Sequence, residues 1–336
     1  MSESQIYKKI HNFANMNCTK KDWFFIVNPH AGSGKTMSKW IPAEKKLARL
    51  GIRYCTAYTD YRRHATALAE EAAENGFRRI CAVGGDGSIH EVFCGLAGWC
   101  EKNGVDPREF VIGVVPIGSG NDWIKSVRVD NDVEKVIDLI AEESFGEMDV
   151  VEMTGEGGKT CHMANIGGVG FDSHVCQRVN MQKEIGMRSK RIYLTALYYT
   201  IRHLGAINVR VVADGKEVFC GPCYSIALGN GRYSGGMMQQ VPLADINDGI
   251  LDAMIVPRVS ILQMLPEIPK LMSGTIHKSR KIISLKCREL QIVPLDGESA
   301  DIFESDGEIE GRLPLTVRMT GRKIGILTGE PSTKGL

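Results

Sequence analysis

The chain has 336 residues, of which 43% are hydrophobic and 24% charged, with a formal net charge of +1. This is the composition of an ordinary globular protein, and the length is sufficient for a large core divided between two domains. A net charge this close to zero gives the protein no overall positive electrostatic field, so we expect no nucleic-acid partner. Binding to any anionic surface would require a local patch of basic residues.

No targeting or membrane-spanning segment is apparent in the sequence. Residues 1–21 are polar, and nowhere do about eighteen apolar residues follow one another. The ten cysteines are scattered through the chain, which favours free thiols in a reducing compartment. We therefore expect a cytoplasmic protein that meets any lipid substrate by peripheral association with a membrane surface.

The first predicted strand, Trp23–Val27, is an apolar run followed by the loop Asn28–Lys35. This loop contains Gly-Ser-Gly-Lys but is not a Walker A loop, because that motif requires a glycine where Pro29 stands. Its amides and Lys35 are suited to holding phosphates. Alternatively, the segment is only the N-terminal turn of a helix with a solvated lysine. That interpretation would stand if the chain had no other phosphate-compatible loops.

The central motif is Gly84-Gly85-Asp86-Gly87-Ser88, between an apolar run that ends at Val83 and a helical pattern over 89–96. Its glycines bring backbone N–H groups close to a ligand, and the helix N-terminus behind them favours an anion. A carboxylate at Asp86 would repel phosphate unless a cation or a reacting hydroxyl lies between them. The motif therefore indicates phosphoryl transfer, although the tetrapeptide alone is also a common tight turn.

A third loop, Gly118–Asp122, follows the predicted strand Phe110–Val115. Asn121 and Asp122 are suited to the cap and first turn of the next helix, a role compatible with nucleotide contact. Strands and helices alternate up to about residue 148, which predicts a parallel α/β sheet. Because the carboxyl ends of parallel strands lie on one edge, the three loops are expected to meet there.

From residue 149 onward, short strands separated by glycine and polar turns predict an antiparallel β-sandwich, and these strands include 160–166, 315–319 and a closing strand over 323–328. A basic, aromatic-rich helix over Tyr193–Leu204 and the basic run His277–Lys281 are either membrane contacts or solvated faces. Cys220-Gly-Pro-Cys223 copies a redox motif. However, strand patterns flank it and no second ligand pair completes a metal site, so we expect neither redox nor zinc chemistry.

Several of these motifs occur in the order of one known family. They are Asn28–Lys35, Gly84–Val92, Gly118–Asp122, Pro242–Leu251 and Ser305–Gly311. Over residues 24–327 the chain resembles the diacylglycerol kinase catalytic-domain family, which includes bacterial lipid kinases, sphingosine kinases and ceramide kinases. The resemblance implies a parallel α/β nucleotide-binding domain over 22–148 joined by a returning 322–336, a β-sandwich domain over 149–321, and an active site in the inter-domain cleft.

The glycine loops imply an ATP-dependent kinase, and the resemblance supplies the acceptor, a diacylglycerol-like lipid hydroxyl presented at a membrane surface. Asp86 is expected to be the catalytic base, with Glu308 as a second acid. By the resemblance, a structural magnesium is held by Asp245, Asp248 and the carbonyl of Ile250; a solvated acidic turn is the alternative. The residues expected at the nucleotide are Asn28, Gly32, Gly34, Lys35, Thr59, Gly84, Gly85, Gly87, Ser88, Glu91, Gly118, Ser119, Asn121 and Asp122.

Two other functions are compatible with parts of the pattern. A soluble nucleotide kinase of the NAD kinase type shares Gly-Gly-Asp-Gly but carries Gly-Ser-Thr-Ala-Tyr later in its chain, whereas Thr56-Ala57-Tyr58 comes early here. A non-catalytic lipid or nucleotide sensor is disfavoured by the intact Asp86 and Glu308.

Glu91 falls in the first turn of a predicted helix, so a helix-capping charge is the alternative to its expected role at the nucleotide. The sequence leaves open the lipid, the ligands of a catalytic magnesium, the working base and the oligomeric state, a homodimer included.

Overall fold

The computed structural model describes residues 19–118, 120–184, 199, 205–236, 238–295 and 301–330. Two compact units divide the chain. The first runs to Met148 and resumes at Arg322, and the second is Asp149–Gly321. Among the described residues, no helix is both long and apolar enough to cross a membrane.

The first unit is built on a parallel sheet, as predicted. Its strands are β1 Trp23–Val27, β2 Tyr54–Tyr58, β3 Arg79–Gly84 and β4 Val111–Pro116. Strand β1 pairs with β2 and β3, and β3 pairs with β4, all in parallel. The C-terminal end of the last described strand of the chain also pairs in parallel with β4. Helices cover a parallel sheet on both faces, which explains why these strands are continuous apolar runs.

Helices connect or flank these strands in the described part of the chain. They are α1 Thr36–Arg49, α2 His64–Glu74, α3 Asp86–Asn103, α4 Trp123–Ser126 and α5 Val133–Ala141. Each buries one face, for example Trp40, Ala43 and Leu47 of α1. The three-to-four-residue spacing of such side chains makes an apolar stripe that can only be covered by the sheet.

The second unit is antiparallel, again as predicted. The strands that lie wholly or partly in it are β5 Phe145–Thr154, β6 Thr160–Met163, β7 Ile166–Gly170, β8 Ile207–Ala213, β9 Lys216–Gly229, β10 Tyr233–Ser234, β11 Met238–Gln239, β12 Leu251–Pro257, β13 Ile283–Cys287, β14 Glu289–Pro294, β15 Ile302–Ser305, β16 Glu308–Arg312 and β17 Leu315–Leu327. The main sheet runs β16-β15-β7-β9-β8-β14-β17, with β12 on β9 and β13 on β12.

Strand β9 organises this unit because its two halves have different neighbours. Residues from Lys216 pair with β8, whereas the half that ends at Gly229 lies between β7 and β12. Buried apolar side chains from β5 through β9 and from β12, β14, β15 and β17 form one cluster. This cluster is the main core of the second unit, and a smaller cluster that includes Met254, Ile276 and Ile282 lies beside it in the contact network.

Some elements differ from the sequence prediction. The segment 160–166, expected as one strand, is split between β6 and β7, and the two strands expected over 315–319 and 323–328 are one continuous β17. Helix α6, over Phe171–Glu184, follows β7. The sequence did not predict this helix, because its apolar side chains show only weak helical periodicity. The predicted helix Tyr193–Leu204 lies outside the described residues apart from Tyr199.

Candidate functional site

The loops at the carboxyl edge of the first unit are fastened to one another by backbone hydrogen bonds. The Asn28 N–H donates to the Val83 carbonyl at 3.0 Å, and the Ile117 N–H donates to the Gly84 carbonyl at 2.6 Å. The N–H of Thr59, a buried residue, donates to the Val27 carbonyl at 2.9 Å. Residues after β1, β2, β3 and β4 are thus brought to one edge.

Three of these loops also approach so closely that only glycine fits. A Cβ atom on Gly118 would lie 2.6 Å from the Gly85 Cα, and one on Gly32 would lie 2.6 Å from the Ile117 carbonyl oxygen. Likewise, a Cβ on Gly84 would lie 2.2 Å from the buried Ser88 hydroxyl. The glycines are therefore required by the contacts between the loops as well as by any ligand.

The first loop forms a left-handed turn. Gly32, Ser33 and Gly34 have φ values of 56°, 59° and 81°. Asn28 fixes the start of the turn, because its side-chain oxygen accepts the His30 N–H at 2.9 Å. Lys35 is exposed at the end of the turn, directly before α1. Turns of this kind present backbone N–H groups in a concave arrangement that binds anions.

Asp86 joins the second loop to the third. It is the first residue of α3 and is partly buried. Its Oδ1 accepts the Trp123 N–H at 3.0 Å, and a Cβ on Gly120 would lie 3.1 Å from its Oδ2. The carboxylate is therefore fixed among the glycine loops, while its neighbour Gly87 is exposed.

The third loop contains a buried polar residue with an unused acceptor. Asn121 has φ 52°, and its side-chain N–H groups donate to Asn131 Oδ1 at 2.7 Å and the Gly118 carbonyl at 3.3 Å. Its Oδ1 has no hydrogen-bond partner among the described residues. The adjacent Asp122 is buried and its carboxylate lies 2.7 Å from Lys125 Nζ. Ser119 lies outside the described residues.

Glu91 caps a neighbouring helix. Its carboxylate oxygens accept the N–H groups of Arg63 and Ala65, both at 3.1 Å, at the start of α2. The capping interpretation therefore applies, although to α2 and not to the helix that carries Glu91. A contact of Glu91 with a nucleotide stays a prediction.

In the second unit, Asp306-Gly307-Glu308 forms the turn between β15 and β16. Asp306 and Gly307 have φ values of 51° and 88°. The Asp306 carboxylate accepts the N–H groups of Ala164, Asn165 and Ile166 at 2.8, 2.8 and 3.0 Å. Asp306 thus holds the link between β6 and β7, and Glu308 begins β16. The other Asp-Gly-Glu triplet, 296–298, lies outside the described residues.

The acidic turn proposed for magnesium is already partly satisfied. Asp245 Oδ1 accepts the Asn247 N–H and Asp248 Oδ1 accepts the Ile250 N–H, both at 3.0 Å. Lys286 Nζ lies 3.6 Å from Asp248 Oδ2 and 2.9 Å from Asp252 Oδ2. Among the described residues, no group of three His, Cys, Asp or Glu side chains is arranged to hold a metal.

Lys286 carries a positive charge at this turn. Burial favours its neutral form, but the hydrogen bond to Asp252 and the charges of Asp252 and Asp248 outweigh burial, so its pKa is raised. Two carboxylates suit a hard cation, yet an ammonium group already faces one of them. The described donor set therefore fits a lysine-neutralised turn better than a magnesium ion, and the assignment of Asp245, Asp248 and Ile250 to a metal stays a prediction.

A partly buried carboxylate, Asp172, was not identified from the sequence. Asp172, in the first turn of α6, accepts hydrogen bonds from Ser225 Oγ at 2.5 Å and Gln240 Nε2 at 2.7 Å. Burial raises its pKa, and the two hydrogen bonds oppose that effect. Its signal in the sequence is an acidic residue two positions after the glycine-rich strand β7, but its partners are distant in the chain.

Both parts of the chain are similar to known proteins. Residues 22–153 match the diacylglycerol kinase catalytic domain, and residues 166–328 match the YegS C-terminal NAD kinase beta sandwich-like domain. A diacylglycerol kinase of Staphylococcus aureus (strain bovine RF122 / ET3-1) is 26% identical over 306 residues, which cover 90% of each chain.

Solved structures show the same fold. A diacylglycerol kinase from Bacillus anthracis superposes with a TM-score of 0.71 at 23% identity, covering 92% of this chain and 97% of that chain. Yeast NADH kinase in complex with NADH superposes with a TM-score of 0.50 at 12% identity, covering 91% of this chain and 83% of that one.

A parallel α/β unit with glycine loops on one edge, continued by an antiparallel β unit, is the fold shared by these lipid and nucleotide kinases. With its two matched domains, the chain belongs to the diacylglycerol kinase catalytic-domain family. The family is one of phosphotransferases, which accords with a carboxylate among glycine loops.

Proposed function

We propose that this protein is an ATP-dependent lipid kinase that transfers the γ-phosphate of ATP to a lipid hydroxyl, with a diacylglycerol-like acceptor taken from a membrane surface at the cytoplasmic side. The observation that carries the proposal is the convergence of three glycine loops around Asp86. The name of the Staphylococcus aureus relative supports the acceptor class. An active site between the two units stays a prediction.

The loops have the chemistry that ATP phosphates require. Left-handed turns and glycines without side chains present backbone amides, and Lys35 adds an exposed positive charge beside the first loop. The unused Oδ1 of Asn121 offers an acceptor to a ligand donor. Magnesium bound with ATP neutralises phosphate charge in kinases generally, and no step proposed here depends on a metal at the Asp245 turn.

In the proposed reaction, the acceptor hydroxyl donates its proton to the Asp86 carboxylate. The hydroxyl oxygen forms a bond to the γ-phosphorus, the bond between that phosphorus and the β–γ bridging oxygen breaks, and ADP leaves. Phosphoryl transfer passes through a loose transition state, so orienting the hydroxyl matters more than strong basicity. The hydrogen bond from the Trp123 N–H holds the Asp86 carboxylate in that orientation. Glu308 is proposed as a second acid.

The decisive experiment is transfer of labelled phosphate from ATP to a total lipid extract, with identification of the labelled product. Asp86→Asn keeps an oxygen for the Trp123 N–H but removes the carboxylate that accepts the proton. We expect transfer to fall about 10²–10⁴-fold, with the melting temperature and binding of a nucleotide analogue unchanged. Glu74→Gln, at the exposed end of α2, is the control that retains activity. Substantial turnover by the Asp86 variant would remove Asp86 from its assigned role.

A soluble nucleotide kinase is the second candidate, because the yeast NADH kinase structure shares the fold. The same assay with NAD or NADH in place of lipid tests it directly, since phosphorylated dinucleotide is then the product. Binding of a nucleotide analogue without transfer to either acceptor would point to a non-catalytic sensor. Omitting magnesium from the assay tests the dependence on that ion.

A further inference from the structure

The second unit carries a short helical segment over residues 258–281, between β12 and β13. It contains helix α7 over Ile261–Met264, the single turn Leu265–Glu267, helix α8 over Ile268–Ser273 and the turn Ile276–Lys278. We call it the β12–β13 segment. It ends at Lys281, immediately before the core residue Ile282.

The β12–β13 segment presents large apolar side chains to solvent. Leu262 is 76% exposed, Ile268 53% and Met272 44%. Ile268 and Met272 are four residues apart and therefore lie on the same face of α8. Leu271, between them in sequence, packs against the buried cluster that includes Ile276 and Ile282. Helix α8 thus has an inner apolar contact and, in addition, an outer apolar face.

The same segment is locally basic. It has five Lys and Arg residues but a single carboxylate, Glu267. Glu267 is buried and paired with Lys270 at 2.9 Å and Lys281 at 3.3 Å. The remaining basic residues, Arg258, Lys278 and Arg280, are exposed and form no ion pair with any described residue. Because the whole chain has a net charge of only +1, this positive charge is a local feature.

From these two observations we propose that the β12–β13 segment docks on an anionic phospholipid bilayer. Exposed apolar side chains insert at the boundary between headgroups and acyl chains, and the exposed Lys and Arg side chains attract anionic headgroups. A nucleic acid would use the charges but leave the apolar face unused. The proposal deepens the proposed function, because a lipid kinase must reach an acceptor that resides in a membrane.

The test is sedimentation of the full chain with vesicles, without ATP. We expect the protein to bind vesicles that contain both phosphatidylglycerol and phosphatidylcholine, and this binding should weaken as salt is added. We expect little binding to vesicles of phosphatidylcholine alone.

Two triple variants test the apolar face and the basic side chains separately. The first combines Leu262→Ser, Ile268→Ser and Met272→Ser, and the second combines Arg258→Glu, Lys278→Glu and Arg280→Glu. Each is expected to weaken binding by about tenfold or more without lowering the melting temperature.

Matched controls change the same chemistry elsewhere in the second unit. Val218→Ser with Val293→Ser alters exposed apolar side chains, and Lys216→Glu with Arg288→Glu alters exposed charges. Both controls are expected to bind vesicles like the wild type. The proposal is overturned if the wild type does not bind anionic vesicles, if it binds neutral ones equally, or if the controls weaken binding as much as the segment variants.

A second readout separates this proposal from the proposed function. In detergent micelles containing the lipid extract, docking on a bilayer is unnecessary, so the segment variants should transfer phosphate at the wild-type rate. Loss of transfer in micelles by these variants alone would contradict a docking role. If the wild type itself transfers no phosphate, the proposed kinase function is contradicted. The vesicle experiment would still decide whether the β12–β13 segment docks on a bilayer.

Discussion

Asp86 and Asp306 both precede a glycine, and the backbone around each decides what its carboxylate does. Asp306 accepts three N–H groups from Ala164, Asn165 and Ile166, so its oxygens are committed to the fold. Asp86 Oδ1 accepts the Trp123 N–H, and the carboxylate lies among closely packed glycine loops next to the exposed Gly87. The same residue type is therefore a structural clamp in the second unit and the proposed base in the first.

Cys220 and Cys223 are expected to differ in their reactivity towards thiol reagents. Both lie in β9, but Cys220 is exposed whereas Cys223 is buried, and burial raises the pKa of the Cys223 thiol to about 12. A maleimide should label Cys220 in the folded protein and Cys223 only after denaturation, because the thiolate is the reactive form. Mass spectrometry of peptides from native and denatured samples measures this. Recovery of a disulfide between them would contradict it.

Helices α2 and α3 form the tightest helix pair that supports the loops. A Cβ on Gly95 of α3 would lie 2.6 Å from the Thr66 carbonyl oxygen and 3.2 Å from the Ala69 Cβ of α2. One turn earlier on α3, Glu91 caps the start of α2. Gly95 therefore sets how closely α2 approaches α3, the helix that carries Asp86, and Glu91 fixes where α2 begins along it.

Two glycines of α3 allow a controlled test of this packing. Gly95→Ala should destabilise the protein by about 1–3 kcal/mol, because α2 must move to admit the methyl group. Gly98→Ala has no atom within 4 Å of the new Cβ, so it should be neutral or stabilising by up to about 1 kcal/mol. Urea unfolding of both variants gives the comparison. Equal free energies of unfolding would mean that α2 and α3 are not in close contact.

At the scale of the whole molecule, β17 belongs to both units. Its first residues pair antiparallel with β14, for example Val317 with Leu290, and its last residues pair parallel with β4 through Gly325 and Ile326. The Thr328 hydroxyl then donates to the Val127 carbonyl at 2.7 Å. The end of the chain therefore completes the parallel sheet of the first unit.

Truncation tests that role of the C-terminal segment. A chain ending at Gly321 loses the buried side chains of Ile324, Ile326 and Leu327 and exposes the edge of β4. Each buried side chain contributes about 1.5–3 kcal/mol, so we expect the first unit to unfold or aggregate. A chain ending at Glu330 keeps these contacts and is the control. Circular dichroism melting and solubility would distinguish the two, and equal stability would contradict the role assigned to β17.

The sequence by itself determined the two fold classes and the positions of the glycine loops, because apolar periodicity and glycine clusters are local signals. It also fixed the family, through motifs in order. The tertiary structure decided how those residues are used. Glu91 caps α2, Asp306 holds β6 next to β7, Lys286 faces the acidic turn and Asp172 accepts a hydrogen bond from Ser225. Each of these contacts joins residues that are far apart in the chain, and no local pattern specifies which distant group a carboxylate will meet.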